Sequence, residues 1–151
     1  MPNNKRWGVL YCPKHELLSP KRRWEKIEKC LKDNGVEYDF IQSESSSGVD
    51  RLIKMMINNG YETIVIVGGD SALNDAVNCL MQYDSSVRER VVLGVIPNGL
   101  MNDFAHFWGF RESDYSQTIK WLKQRHVRKI DLGCIRYTNK KGETCRRYFL
   151  N

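Results

Sequence analysis

The 151 residues hold 24 Lys and Arg against 18 Asp and Glu, with 41% hydrophobic and 28% charged side chains. That make-up belongs to a globular domain with a real core and excludes disordered and fibrous classes. The longest apolar runs, Ile64–Val67 and Val91–Ile96, fall far short of the ~18 residues a membrane helix needs. The opening MPNNKRWGVLYC has no apolar stretch of the kind that directs secretion. Five cysteines without a C-x-x-C pair, and His15, His106 and His126 at no ligand spacing, argue against a disulfide framework or a zinc site. They read as reduced thiols in a cytoplasmic protein. The charge is uneven: residues 120–151 carry +8 and residues 1–119 carry −2.

Trp7–Cys12 reads as a first strand, followed by a loop containing Pro13 and Pro20. A helix is predicted from Lys21 to Asn34, with Trp24, Ile27 and Leu31 on one face and Gly35 as its C-terminal cap. Val36–Gln42 alternates as a second strand through Val36, Tyr38 and Phe40. After the Ser/Glu loop at 43–47, Ser47 and Asp50 are placed to cap the next helix. There Val49, Leu52, Ile53, Met56 and Ile57 recur at i, i+3, i+4, i+7 and i+8, and Gly60 ends the run.

Thr63–Val67 has no polar face, as a strand covered on both sides requires. Gly68-Gly69-Asp70 leads into a helix with Ala72, Leu73, Ala76, Val77, Leu80 and Met81 inward. Val91–Ile96 is a second doubly covered strand. A Gly/Asn loop, a helical stretch near Leu100–Phe107 and a helix over Tyr115–Gln124 follow. The alternation predicts an open α/β sandwich, with a mostly parallel sheet and helices on both faces. Past residue 129 the rhythm changes: Val127–Tyr137 and Cys145–Leu150 read as a hairpin around Thr138–Gly142. A boundary is therefore expected there, with an α/β domain over 1–129 and a different, β-rich unit over 130–151.

In such sheets ligands bind where strand carboxyl ends meet helix N-termini. Two corners carry unusual residues. At Val67-Gly68-Gly69-Asp70-Ser71-Ala72 the glycines let a phosphate approach the backbone, and the following helix offers free N–H groups. Asp70 repels a phosphate directly, so its use there is through Mg2+ or as a base toward a hydroxyl. The same residues are compatible with a simple chain turn, Asp70 sitting near a helix cap. At Ile96-Pro97-Asn98-Gly99-Leu100-Met101-Asn102-Asp103, Pro97 stops the strand and Gly99 permits a turn; either Asn102 or Asp103 alone could be an N-cap. Two corners on successive strands would face each other across one crevice.

GGDSALNDAVN at 68–78, LGVIPNGLMNDFA at 93–105 and IDLG at 130–133 occur in the order of the diacylglycerol kinase catalytic-domain family, which includes bacterial lipid kinases and sphingosine kinases. The chain resembles that family through nearly its whole length. The resemblance implies the ATP-binding domain of a two-domain kinase that moves the γ-phosphoryl of Mg2+–ATP to a lipid hydroxyl. By that likeness Gly68, Gly69 and Asp70, with Ser71, Ala72 and Asn74 in the same segment, lie along the triphosphate. The resemblance implies Asp70 as metal ligand and catalytic residue. Pro97, Gly99, Asn102 and Asp103 form the facing wall, and Ser43 takes the place of a nucleotide-contacting Thr. Residues 130–151 would then open a second, β-rich domain that supplies much of the lipid site.

The likeness has departures. Ser71-Ala72 replaces Gly-Thr, Leu100 replaces Thr, Met101 fills a place often small, and Cys12-Pro13 replaces Asn-Pro. An alternative reading is therefore a catalytically degenerate nucleotide-binding or interaction module of the same fold. A third, an enzyme like NAD kinase, shares Gly-Gly-Asp but not the P-x-G-x-x-N-D-F-A stretch. The basic run Lys120, Lys123, Arg125, Arg128 and Lys129 reads as a solvated helix face. A lipid-modifying protein could also use it peripherally on the anionic inner face of a membrane. Charge also permits nucleic acid, but no recognition motif supports that partner.

Overall fold

A computed structural model describes residues 5–13, 20–44 and 48–150. The strands are β1 (Trp7–Tyr11), β2 (Tyr38–Gln42), β3 (Thr63–Gly68), β4 (Val92–Pro97), β5 (Gly133–Thr138) and β6 (Thr144–Phe149). The helices are α1 (Pro20–Asp33), α2 (Val49–Asn58), α3 (Asp70–Leu80), α4 (Ser85–Arg90), α5 (Asp103–Phe107) and α6 (Tyr115–Gln124). The first four strands form one parallel sheet in the order β2-β1-β3-β4, and β5 pairs antiparallel with β6 in a separate sheet. The α/β architecture and the C-terminal hairpin are as the sequence predicts.

The uninterrupted apolar run of β3 follows from its central place. Ile64 and Ile66 face one side, with Leu10 of β1, and pack on Val49, Ile53, Met56 and Ile57 of α2 and on Leu73, Ala76 and Cys79 of α3. Val65 and Val67 face the other side, with Trp7, Val9 and Tyr11, and meet Ile27 and Leu31 of α1 and Ile119 of α6. Each such side chain removed from water contributes about 1.5–3 kcal/mol, so two dry layers hold the sheet. Gly35 (φ +64) and Gly60 (φ +85) end α1 and α2 in the left-handed turns expected of them. Val36 N–H reaches back to the Leu31 carbonyl at 3.0 Å, and Tyr61 N–H to that of Met56 at 3.1 Å.

Several expectations need correction. Asp50 does not cap α2: Gly48 holds the N-cap position without a side-chain bond. Asp50 lies inside the first turn and pairs with Lys54 at 3.4 Å; the Ser47 half of that expectation lies outside the described residues. β4 is an edge strand of the described sheet, so Val92, Leu93 and Gly94 are only half-buried and the dry stretch begins at Val95. Helix α4 was not foreseen because SSVRER has no apolar face and none of its residues is buried. Its signal is the cap, Asp84 accepting from Val87 N–H at 3.1 Å. Residues 127–132 carry apolar side chains but pair with no strand, so β5 starts at Gly133.

The hairpin is tied to α3. Asn78 Nδ2 donates to the Tyr148 carbonyl and Tyr148 N–H donates to Asn78 Oδ1, both at 2.8 Å, and Arg147 pairs with Asp75 at 2.7 Å. The basic run is not one uniform solvated face. Lys123 Nζ donates to the Asn34 carbonyl. Arg125, in the left-handed region at φ 51, donates to Thr63 Oγ1 at 2.6 Å, and Arg128 lies 5.6 Å over the Trp108 ring. Lys120 and Lys129 are exposed.

Candidate functional site

The strand order places the direction reversal between β1 and β3: from β1 the sheet continues through β2 on one side and through β3 and β4 on the other. In parallel sheets the carboxyl ends of these two strands are where a ligand crevice forms. Its floor is continuous backbone. Cys12 N–H donates to the Val67 carbonyl at 2.9 Å, Ser43 N–H to that of Tyr11 at 2.8 Å, and Asn98 N–H to that of Gly68 at 2.9 Å. Above this floor the two glycine corners cross. A Cβ on Gly99 would lie 2.2 Å from Gly69 Cα; one on Gly69 would lie 2.7 Å from the Met101 carbonyl oxygen. Main chain therefore rests on main chain, and Asp70 N–H closes the crossing on Met101 O at 3.0 Å.

Asp70 begins α3 yet serves α5. Its Oδ2 accepts from Asp103 N–H at 2.9 Å and its Oδ1 from Phe104 N–H at 3.1 Å, two amides that a helix start leaves without intrahelical partners. Asn102, 5% exposed, turns its amide the other way. Oδ1 accepts from Gly99 N–H at 2.9 Å, and Nδ2 donates to the Gly99 carbonyl at 3.0 Å and also to Glu112 Oε1. Glu112 Oε2 meets His106 Nε2 at 2.9 Å. Burial pushes the Glu112 carboxyl up, but its bonds to His106 and Asn102 outweigh that and leave it below its ordinary value of 4.5. A carboxyl depressed by folding stabilises above its unfolded pKa, and the contribution fades as pH falls through the folded value. Acid titration below about pH 4.5 is therefore expected to destabilise the wild type more steeply than Glu112→Gln, as followed by urea midpoints against pH.

The structure brings Gly68, Gly69, Asp70, Pro97, Gly99, Asn102 and Asp103 together at the carboxyl ends of β3 and β4. Ser71 is exposed and Ala72 half-buried in the first turn of α3, while Ser43 is buried where β2 ends. Asn74 lies apart from them: its Oδ1 accepts from Leu150 N–H at 3.0 Å, so it joins Asn78 in holding the hairpin. Sequence reading missed Asn98, 2% exposed, whose Oδ1 accepts from Arg23 at 3.3 Å. Among the described residues its Nδ2 has no hydrogen-bond partner of ordinary geometry, though Asn98 bears on the Tyr11 hydroxyl and counters the upward push of burial there. The signal was present, since Asn98 stands inside the P-N-G corner; nothing local marks Arg23 or Glu112. Burial first, then the Asp75 carboxylate, pushes the Cys12 thiol up to about 12, so it is a neutral packing group and not a nucleophile. Among the described residues no three His, Cys, Asp or Glu side chains gather as a metal cage.

Comparison with known proteins agrees with the fold. The diacylglycerol kinase of Staphylococcus carnosus is 24% identical over 147 residues, covering 97% of this chain and 44% of its own. The diacylglycerol kinase of Bacillus subtilis is 26% identical over 131 residues, covering 87% and 42%. A crystal structure of a diacylglycerol kinase from Bacillus anthracis has the same fold, with a TM-score of 0.71 at 18% identity over 93% of this chain and 45% of that one. The chain thus spans less than half the length of the relatives it matches. With a family match that runs over residues 6–135, the chain belongs to the diacylglycerol kinase catalytic domain family.

Proposed function

We propose that the crevice binds Mg2+–ATP and that the chain is the nucleotide-binding part of a lipid kinase, transferring the γ-phosphoryl to a lipid hydroxyl. The observation that carries this reading is the crossing of Gly69 and Gly99. It fixes the N-terminus of an 11-residue helix at the end of β3, where the first-turn amides of Ser71 and Ala72, which a helix start leaves without intrahelical partners, and the positive dipole end suit a polyphosphate. Asn98 Nδ2 on the same floor, buried and without a bond of ordinary geometry among the described residues, is a further donor beside the Tyr11 hydroxyl. Both features fit an anionic, oxygen-rich ligand.

The residues also fit a Mg2+ that arrives with the nucleotide, since that ion keeps its waters and needs only one or two carboxylates. Bound there, it would supply charge neutralisation for in-line transfer. Asp70 is the carboxylate we assign to it. Each Asp70 oxygen already accepts one amide, which fixes its orientation and leaves a lone pair on each for a cation. The same engagement, with Ser71-Ala72 in the turn, is what favours the second reading, a degenerate module in which Asp70 only caps α5. Residues 130–151 begin a second lobe that supplies the lipid site, and the protein works in the cytoplasm at the inner membrane face.

Calorimetric titration with ATP decides between the two readings. Sub-millimolar affinity that needs Mg2+ and drops at least tenfold in Asp70→Ala, about 1.4 kcal/mol, is expected of the kinase half. Heats absent with and without Mg2+ would leave the module.

A further inference from the structure

Helix α1 begins at the carboxyl end of the sheet with a charge that its dipole opposes. Its first turn carries Lys21, Arg22 and Arg23 and no acid, although the positive end of a helix favours anions. Arg22 is exposed, whereas Arg23 is half-buried. Arg23 reaches over the strand ends, its Nη1 donating to Asn98 Oδ1 at 3.3 Å. Among the described residues that is its one hydrogen bond, and no carboxylate pairs with it. A guanidinium is a planar fork of donors, and most of this fork is unused. The groups around it are phenols. Burial pushes the Tyr11 and Tyr115 hydroxyls up, Asn98 counters that at Tyr11, and the Arg23 charge draws both back. A half-buried cation among neutral groups is costly until an anion meets it.

We propose that Arg23 is a phosphate-binding residue, which clasps a polyphosphate from the α1 side of the sheet while Asp70 serves from the α3 side. The two sides follow from packing. Ile27 and Leu31 of α1 lie with Val65 and Val67, and Leu73 and Ala76 of α3 with Ile64 and Ile66. The path between the two charges is short. Asn98 precedes Gly99, a Cβ on Gly99 would stand 2.2 Å from Gly69 Cα, and Gly69 precedes Asp70. Asn98 is 2% exposed, so its Oδ1 is a fixed post that sets where the fork lies. The fork matches phosphate oxygens two at a time, which a compact ammonium does not. This deepens the proposed function and rests on it for the identity of the ligand. It assigns recognition of the phosphate chain, rather than of the base, to α1, and it favours three phosphates over one.

Calorimetry in Mg2+ with ATP, inorganic tripolyphosphate and adenosine monophosphate reads the role. Arg23→Gln is expected to weaken ATP and tripolyphosphate by about tenfold or more, and the monophosphate by less than about threefold. Arg23→Lys should recover part of the loss, since the charge returns without the fork. Lys26→Gln removes an exposed charge from the same helix and should leave all three ligands within about twofold. Should Arg23→Gln fold poorly, phenylglyoxal labelling of the parent chain takes its place. Tripolyphosphate should then slow labelling of Arg23 but not of Arg136, which is exposed on β5. Equal weakening of all three ligands in Arg23→Gln would make the residue a support of the P-N-G corner and overturn the proposal. Unchanged affinities, an equal loss in Lys26→Gln, or labelling indifferent to tripolyphosphate would overturn it too. Its failure is separable from that of the proposed function. Tripolyphosphate held through Arg23 by a chain that gives no heat with ATP upholds the site and ends the kinase reading, and ATP bound equally well by Arg23→Gln does the reverse. A parent chain that binds neither overturns both.

Discussion

Gly99→Ala is expected to destabilise the protein by about 1–3 kcal/mol, the usual range of overpacking, and, on the proposed reading of the site, to abolish ATP binding with it. The added Cβ would stand 2.2 Å from Gly69 Cα and 2.7 Å from Gly69 N. Backbone has no rotamer to yield, so the two corners must part and the Asp70–Met101 bond with them. Urea denaturation checks the first effect and calorimetry the second. Gly142→Ala is the control. Nothing lies within 4 Å of that glycine, but its φ is +79, so only the left-handed strain of about 1 kcal/mol is expected, without loss of nucleotide. Gly69→Ala should resemble Gly99→Ala, and the double variant should cost less than the sum. Once the crossing has opened, the second methyl meets little.

Asn102→Ala is expected to cost about 2–4 kcal/mol, since it orphans several groups at once in a dry place. The Gly99 N–H and carbonyl lose the amide that brackets them, and Glu112 loses a donor. Asn102→Asp is the informative companion. Its carboxylate can still accept from Gly99 N–H but cannot donate, and it stands against Glu112. Glu112→Gln should restore part of the loss in Asn102→Asp by removing that repulsion, whereas in the wild-type background it only weakens the pair. A double-mutant cycle on urea midpoints measures the coupling; additive effects would remove Glu112 from the support of this loop.

Legibility in the sequence followed the range of the interaction. The run Thr63–Val67 and the spacing of Val49, Ile53, Met56 and Ile57 report local periodicities, and both elements stand where the pattern puts them. Helix α4 has no apolar period to read, and 127–132 has the apolar content of a strand but pairs with none of the described strands. At the candidate site, the two glycine corners and their meeting across one crevice could be anticipated, because strand ends of a parallel sheet converge. What Asp70 does with its oxygens could not, since its partners lie 33 and 34 residues away. Asn74 shows the same limit. It sits in the motif that resembles a phosphate loop, yet its partner is the Leu150 amide 76 residues on, and no spacing within the motif encodes that.

Helix α3 carries Asp70 at one end and, within two further turns, the asparagines that grip β6. Its 11 residues make a rod of roughly 16 Å, stiff on the scale of side-chain hydrogen bonds. The hairpin therefore has two ways to move against the sheet: it breaks its bonds to Asn74, Asp75 and Asn78 together, or it swings the rod. A swing displaces Gly69 against Gly99, where there is no slack for even a methyl group. The far end of the molecule is in this sense geared to the crevice, and a push on the hairpin is felt as a change in the width of the crossing.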